Sequence, residues 1–405
     1  MKQTKILNDV CKLIVDCEHK TAPTQAVGYP SIRTPNIGRG RLILDNVNRV
    51  SEKTYLAWTK RATPQANDLI LAREAPIGNV AIIPKNLKVC LGQRTVLIRP
   101  DQNQVDSNYL CYLLLGDEIQ GKILGLSNGA TVHHLNMKDI RNLELPEIPP
   151  ISTQRKISGI LSAYDRLIEN NTRRIKILEE MARSLYDEWF AKFRFPGYEQ
   201  TSMVDSELGL IPEGWELKKL GNLVELVYGK ALKAEQRLGG LVAVYGSSGI
   251  VGYHNEYLAK APGIIVGRKG NVGSVFWSED DFFPIDTVFY VQTRICLHYV
   301  YYNLKNQNFI NNDAAVPGLN RNQAYSLPFI LPSQEALERF QNFVSPIFRQ
   351  LKKLRSKNTN LRKTRDVLLP KLISGEIDVE NLDIETGIMN ESEEVSSSSQ
   401  EAIAG

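Results

Sequence analysis

The residues best suited to chemistry in this chain are basic and amide side chains set among glycines, which could bind phosphates or the edges of bases. Arg33, Asn36, Arg39 and Arg41 cluster around Gly38 and Gly40, where the main chain can approach a phosphate closely. Reading base edges takes Arg or Lys for guanine and Asn or Gln for adenine. A second loop of this kind is Tyr245-Gly246-Ser247-Ser248-Gly249, followed by Tyr253, His254 and Asn255. Arg73 and Arg268 stand at matching places after apolar strands, with Lys269 and Asn271 extending the second site. Each of these arginines reads either as a framework ion pair or as a DNA contact; contact is preferred, because arginines at a strand end beside glycines are exposed. Arg94 aligns with Asp286, so that position differs between the two halves, and Ser127-Asn128-Gly129 and Asn320-Arg321-Asn322 are further candidates. The competing reading of every one of these loops is a solvated turn.

Catalytic signatures are missing from the sequence. Methyl transfer to a flipped adenine needs a glycine-rich cofactor loop and an Asn/Asp-Pro-Pro-aromatic loop. The adjacent prolines Pro149-Pro150 lie between Ile148 and Ile151, at the start of a helix. A phosphate-cradling G-x-x-x-x-G-K-[ST] is not met by Gly121-Lys122 or Gly229-Lys230. Gly267, Gly270 and Gly273 have the wrong spacing for a dinucleotide loop, and His133-His134 lack an acidic or cysteine partner at ligand spacing. The five cysteines are scattered, without C-x-x-C pairs, and read as reduced and structural. No metal site is expected.

The elements that must position these residues occur twice. Leu135-Asn136, Leu145-Pro146 and Ile148-Pro149 before Gln154-Arg155 recur as Leu319-Asn320, Leu327-Pro328 and Leu331-Pro332 before Gln334-Glu335. Leu69 to Arg73 with Gly78-Asn79-Val80 lines up with Ile264 to Arg268 and Gly273-Ser274-Val275, Thr95-Val96 with Thr287-Val288, and Tyr109 with Tyr299. Four matches in one order indicate an internal repeat. Short apolar runs broken by Gly, Pro, Asn and Asp make each copy a mixed domain with a bent sheet.

Each copy leads into a long helix. Ile157, Ile160, Tyr164, Leu167, Asn171, Leu178, Met181 and Leu185 alternate by three and four, as do Phe340, Val344, Ile347, Leu351, Leu354, Asn358, Leu361 and Leu368. That is the seam of a coiled coil, so the two helices are expected to pair antiparallel, with Asn171 and Asn358 as polar residues on the seam. Pro346 should kink or restart the second helix. Tyr186, Trp189, Phe190, Phe193 and Phe195 crowd the end of the first. They read equally as an anchor for a partner subunit or as the core joining the helix to the second module.

Among 405 residues, 49 Lys and Arg against 45 Asp and Glu give a net charge of +4, too little to argue for nucleic acid from the total. The basic residues concentrate between Arg339 and Lys371, while Asn390 to Gly405 is acidic and Ser-rich and too poor in apolar residues to fold. With no signal segment and no run of eighteen apolar residues, a soluble cytoplasmic protein without a membrane partner is expected.

At this point the residues name a family. Gln154-Arg155-Lys156-Ile157, Ile168-Glu169-Asn170-Asn171, Tyr186-Asp187-Glu188-Trp189-Phe190 and Phe193-Arg194-Phe195-Pro196-Gly197 closely resemble the central conserved region of specificity subunits of type I restriction-modification systems. Tyr29-Pro30-Ser31-Ile32-Arg33, Gly209 to Trp215 and Leu368 to Ile377 support the resemblance, which spans nearly everything but the acidic tail. It implies an α+β protein with two similar globular target-recognition domains separated by a pair of long antiparallel coiled-coil helices, in a pseudo-twofold internal repeat. The expected boundaries are 1–148 and 195–332 for the two domains, 149–194 and 333–380 for the conserved helical regions, and 381–405 for a disordered tail. It further implies a non-catalytic subunit that reads a bipartite site in double-stranded DNA, one half per domain, with the helices setting the spacer and docking two modification (methyltransferase) subunits. Restriction (nuclease and translocase) subunits join that core. S-adenosylmethionine, ATP and Mg would belong to those partners, with no cofactor in this chain. Two rival readings are an enzyme with unfamiliar motifs, revived by activity without partners, and a coiled-coil scaffold carrying protein-binding modules, which lacks the steep salt dependence of phosphate contacts.

Overall fold

The structure is a computed structural model that describes residues 5–74, 76–126, 134–309 and 318–383. The loop Ser127-Asn128-Gly129, His133 and the acidic stretch Asn390 to Gly405 lie outside the described residues. The chain forms two compact units, one of residues 1–169 and 359–405, the other of residues 170–358.

In the first unit a five-stranded sheet runs in the order Cys11–Asp16, Thr95–Pro100, Leu69–Ala72, Val80–Ile82 and Gly40–Arg41. The first four strands are antiparallel neighbours. A small sheet lies Arg49–Val50, Tyr29–Ile32, Cys90–Leu91, antiparallel on one side and parallel on the other. The apolar faces of Leu69, Leu71, Val96 and Ile98 meet Tyr109, Leu110 and Leu113 of the helix Ser107–Leu115. Asp106 caps that helix by accepting the Tyr109 N–H at 2.9 Å. Ile157 and Leu161 from one long helix, Leu372 from the other and Val379 just beyond its end complete this core. Each fully buried side chain of this kind contributes about 1.5–3 kcal/mol. Gln154, 1% exposed, accepts from the Asp106 N–H at 2.8 Å and donates to the Pro149 and Gln104 carbonyls, so a polar residue of the family-like motif locks helix to module.

The second unit repeats the plan. Its main sheet runs Val224–Tyr228, Val288–Thr293, Gly263–Gly267, Val275–Ser278, all antiparallel, and its small sheet runs Gly249–His254, Val242–Gly246, Phe282–Pro284 with the same antiparallel and parallel pairings. Val266, Phe289 and Tyr299, on the sheet and on the helix Leu297–Asn306, form the core with Phe329, Phe340 and Val344. The backbone bonds repeat too. Leu135 donates to the Arg73 carbonyl as Leu319 does to that of Arg268, and Gly78 to Ala72 as Gly273 to Gly267.

Register corrects one detail of the sequence alignment. Ala72 faces Thr95 and Gly267 faces Val288. The equivalent of Thr95 is therefore Val288 and that of Arg94 is Thr287, one residue along from the Asp286 expected. The similarity of Thr-Val pairs misled the alignment, because strand pairing rather than side-chain identity sets the position.

The long helices span Ile151–Tyr186 and Gln334–Ile373, about 54 and 60 Å at 1.5 Å per residue. Asp165 pairs with Arg365 in the first unit, and Asn171 with Asn358 and Glu179 with Arg355 in the second. One number climbs as the other falls, so the helices are antiparallel within each unit. Asn171 and Asn358 meet by a buried 3.0 Å hydrogen bond. The expected seam is only partly right. Leu167 and Met181 are more than half exposed, while Leu161, Ile168 and Ala182 beside them are buried, because a 3.6-residue turn drifts away from a strict seven-residue stripe. The helix also runs unbroken through Pro346, where a kink or restart was expected. The Asn342 carbonyl that loses its donor there belongs to an exposed residue, so solvent can satisfy it and the cost of the proline is small.

Candidate nucleic-acid interface

In the second unit three loops converge at the end of the main sheet. The strand Gly263–Gly267 delivers Arg268, Lys269 and Asn271; the hairpin strand Val242–Gly246 delivers Ser247; and the short helix Arg321–Ser326 delivers Arg321 at its first position. Ser247 ties the first two together, its hydroxyl lying 3.5 Å from the Asn271 N–H and its carbonyl accepting from Ser274 Oγ at 2.7 Å. Lys269 bridges to Gly318, and Leu319 donates to the Arg268 carbonyl at 2.7 Å. A Cβ at Gly267 would collide with the Asn271 carbonyl and the Ser274 hydroxyl, so only glycine lets this loop close. Lys269, Asn271 and Ser248 are exposed, and Tyr253 stands half exposed on the hairpin.

Arg268 and Arg321 share a ring that the sequence reading missed. Their guanidinium carbons lie 5.1 and 4.9 Å from the centroid of Tyr228, which is 47% exposed. Arg268 Nε donates to the Asp286 carbonyl at 3.2 Å. Among the described residues neither arginine has an ion pair.

In the first unit Arg73 occupies the same backbone position with a different outcome. It is 5% exposed, and Nη1 lies 2.8 Å from each oxygen of Asp16, Nε 2.8 Å from the Leu135 carbonyl and Nη2 2.9 Å from His134 Nε2. A guanidinium only donates, so His134 accepts at Nε2 and carries its proton on Nδ1, which donates to Glu74 at 2.8 Å. Arg73 is thus a framework residue, and its reading as a DNA contact is corrected, because every face of its fork is occupied. Glu74 also holds Arg94 at 2.8 Å, an exposed arginine at φ +66°. The side chain of Arg33 lies across Gly92, two residues before Arg94 in the chain, so the exposed Arg33 and Arg94 are the candidates here. Arg33 and Arg41 are exposed without an ion pair among the described residues. Arg39 donates to the Leu115 carbonyl at 2.8 Å. Asn36 accepts from the Arg33 N–H and donates to the Ile43 carbonyl, so its amide is occupied in shaping the turn.

The aromatic cluster is likewise corrected. Tyr186, Trp189 and Phe190 are 5–6% exposed and pack on Tyr299, Phe340 and Trp215, which makes them core between helix and module rather than partner-binding surface. The exposed aromatic beside them is Phe343, 5.7 Å from Trp189 and 60% exposed.

Other chemistry finds little support. Asp16, Cys17 and His19 have donor atoms within 4.8 Å of one another, yet Asp16 already holds Arg73 and His19. Burial pushes the thiols of Cys17, Cys90 and Cys296 up, and those of Cys11 and Cys111 up to about 12, which makes all five poor nucleophiles. No helix among the described residues is long and apolar enough to cross a membrane.

Comparison with known proteins agrees with this geometry. The chain matches the family model for the type I restriction modification DNA specificity domain over residues 2–180 and again over 212–364. It is 27% identical over 374 residues to the type I restriction enzyme MjaIX specificity subunit of Methanocaldococcus jannaschii, covering 82% of each chain. It is 23% identical over 368 residues to the HindI specificity subunit of Haemophilus influenzae, covering 70% of this chain and 80% of that one. The crystal structure of the S subunit of a type I system from M. genitalium shares the fold with a TM-score of 0.60 at 18% identity, over 91% of this chain and 95% of that one. With the family model matched twice, over most of its length, the chain belongs to the type I restriction-modification DNA specificity family.

Proposed function

We propose that the chain is the DNA sequence-recognition subunit of a type I restriction-modification complex, in which each module reads one half of a bipartite site. The observation that carries this reading is the repeat itself: two modules whose main sheets share the order of four strands present exposed Arg33 and Arg94 in one and exposed Lys269 and Asn271 in the other. In the second module Lys269 and Asn271 are the base readers, with Ser247 and Ser248 available to phosphates. In the first the readers are Arg33 and Arg94. The long helices set the spacer, and they dock two modification subunits that bind S-adenosylmethionine, while restriction subunits supply ATP- and Mg-dependent cleavage. This chain itself performs no catalysis. In the second unit Ile177, Met181 and Phe343 are exposed apolar side chains on the helices that suit such docking.

The test is to co-express the chain with its modification subunit and map modified adenine across the host DNA. A split motif with a fixed gap is expected. Replacing Lys269 and Asn271 by Ala should relax one half, and replacing Arg33 and Arg94 the other, each base contact being worth about 1–3 kcal/mol of discrimination. Modification at the same sites without this chain would overturn the reading.

A further inference from the structure

The two modules carry one arginine at an equivalent place and treat it in opposite ways. Strand register fixes the equivalence: Asp16 faces Val96 across the sheet as Tyr228 faces Phe289, and Leu71 faces Val96 as Val266 faces Phe289. The strand residue beside Arg73 is therefore the carboxylate Asp16, and the strand residue beside Arg268 is the ring of Tyr228. A carboxylate neutralises the guanidinium and draws it under the surface. A tyrosine ring holds it by its quadrupole and leaves its charge uncompensated.

Tyr228 holds two such charges, since Arg321 lies over the same ring. Like charges gathered on one aromatic ring, with neither in an ion pair among the described residues, leave positive charge for an anion to meet. The side chain of Arg268 is short of free reach, because Nε is tied to the Asp286 carbonyl and its guanidinium lies 5.9 Å from the Phe289 ring as well. An arginine braced against its own sheet cannot extend to the floor of a groove, but it can meet the backbone at the rim.

We propose that Tyr228, Arg268 and Arg321 form a phosphodiester clamp that fixes the second module on one DNA strand, and that the first module lacks its counterpart because Asp16 closes it. Tyr228 is the positioning residue, and the two guanidiniums make the contacts. This rests on the second module's being a DNA reader, and it adds that Arg268 and Arg321 set affinity and register while Lys269 and Asn271 read the sequence.

The experiment compares Tyr228→Asp, Tyr228→Phe and the double variant Arg268→Gln, Arg321→Gln in the assembled complex with the modification subunits. Binding to a duplex carrying the mapped site, to an unrelated duplex and to inorganic phosphate is followed from low to high salt, alongside methylation mapping. Tyr228→Asp imports the first module's arrangement. It should lower the slope of log K against log salt by about one to two, weaken both duplexes alike and leave the methylated motif unchanged. Tyr228→Phe keeps the ring and should match the parent. The double variant gives the same reading should Tyr228→Asp fail to fold. A slope unchanged in the double variant, or a changed base in the motif, overturns the clamp. Competition by inorganic phosphate at concentrations that leave the salt slope of duplex binding intact would assign the site to a free anion and overturn it too. If the parent complex shows no salt-dependent duplex binding, the DNA-reading function fails instead.

Discussion

Asp16 shows how strongly one side chain can change the role of another. Both its oxygens accept from Nη1 of the buried Arg73, so Arg73→Ala should cost about 3–5 kcal/mol by breaking that ion pair. Arg94→Ala, at an exposed ion pair with Glu74, should cost about 0–1 kcal/mol. Urea unfolding of the two variants checks the contrast, and equal losses would place Arg94 in the framework as well. Both arginines look alike in sequence, each at a strand end near glycines. What separates Arg73 from a reading residue is its partner Asp16, on a strand far back in the chain, which spacing along the sequence does not reveal. Tyr228 was missed for the same reason, since its ring acquires meaning only when Arg268 and Arg321 arrive over it. Lys269, Asn271, Ser248 and Arg33 were legible because exposure beside glycine is a local property.

The helices divide in the same way. Asn171 and Asn358 stood out as polar residues on apolar stripes, and they meet; Leu167 and Met181 fitted the stripe and lie outside it, because a seven-residue pattern does not follow the slow rotation of a straight helix. Between helix and module, the helix Leu297–Asn306 places His298 against Trp277 and Phe348, with ring centroids 5.0 and 4.5 Å away. Burial there pushes His298 down to about 4. Unfolded, the same group titrates near 6.5, so between about 4 and 6.5 the unfolded chain binds the extra proton. Stability of the second unit should then fall as pH drops through that window, by about 3 kcal/mol when complete. Thermal melts at pH 7 and pH 4.5 test this, with His298→Phe expected to flatten the difference. A wild-type response matched by the variant would assign the acid sensitivity to other groups.

For the whole molecule, the division into units cuts across the order of the chain. The second unit is one continuous stretch, residues 170–358, while the first is assembled from both sides of it. Leu372 and Val379 belong to the first unit's core together with Ile157 and Leu161. A chain ending at Pro370 should therefore lose several kcal/mol from the first unit, about 2–5 kcal/mol for each large core side chain removed. Its melting should shift one transition downward and leave the transition belonging to the second unit in place; a uniform shift of both would show the units to be a single cooperative block. The repeat in sequence indicated two similar modules, but it gave no sign that one of them is closed by residues from beyond the other.

That interleaving also sets a timetable. On the ribosome the first module emerges early with Ile157 and Leu161 uncovered, and it waits while the whole of 170–358 is made, roughly 10–40 s at about 5–20 residues per second. The module written second is the first that can be finished, and the one written first stays open, in need of protection from wrong partners, until the last helix reaches it.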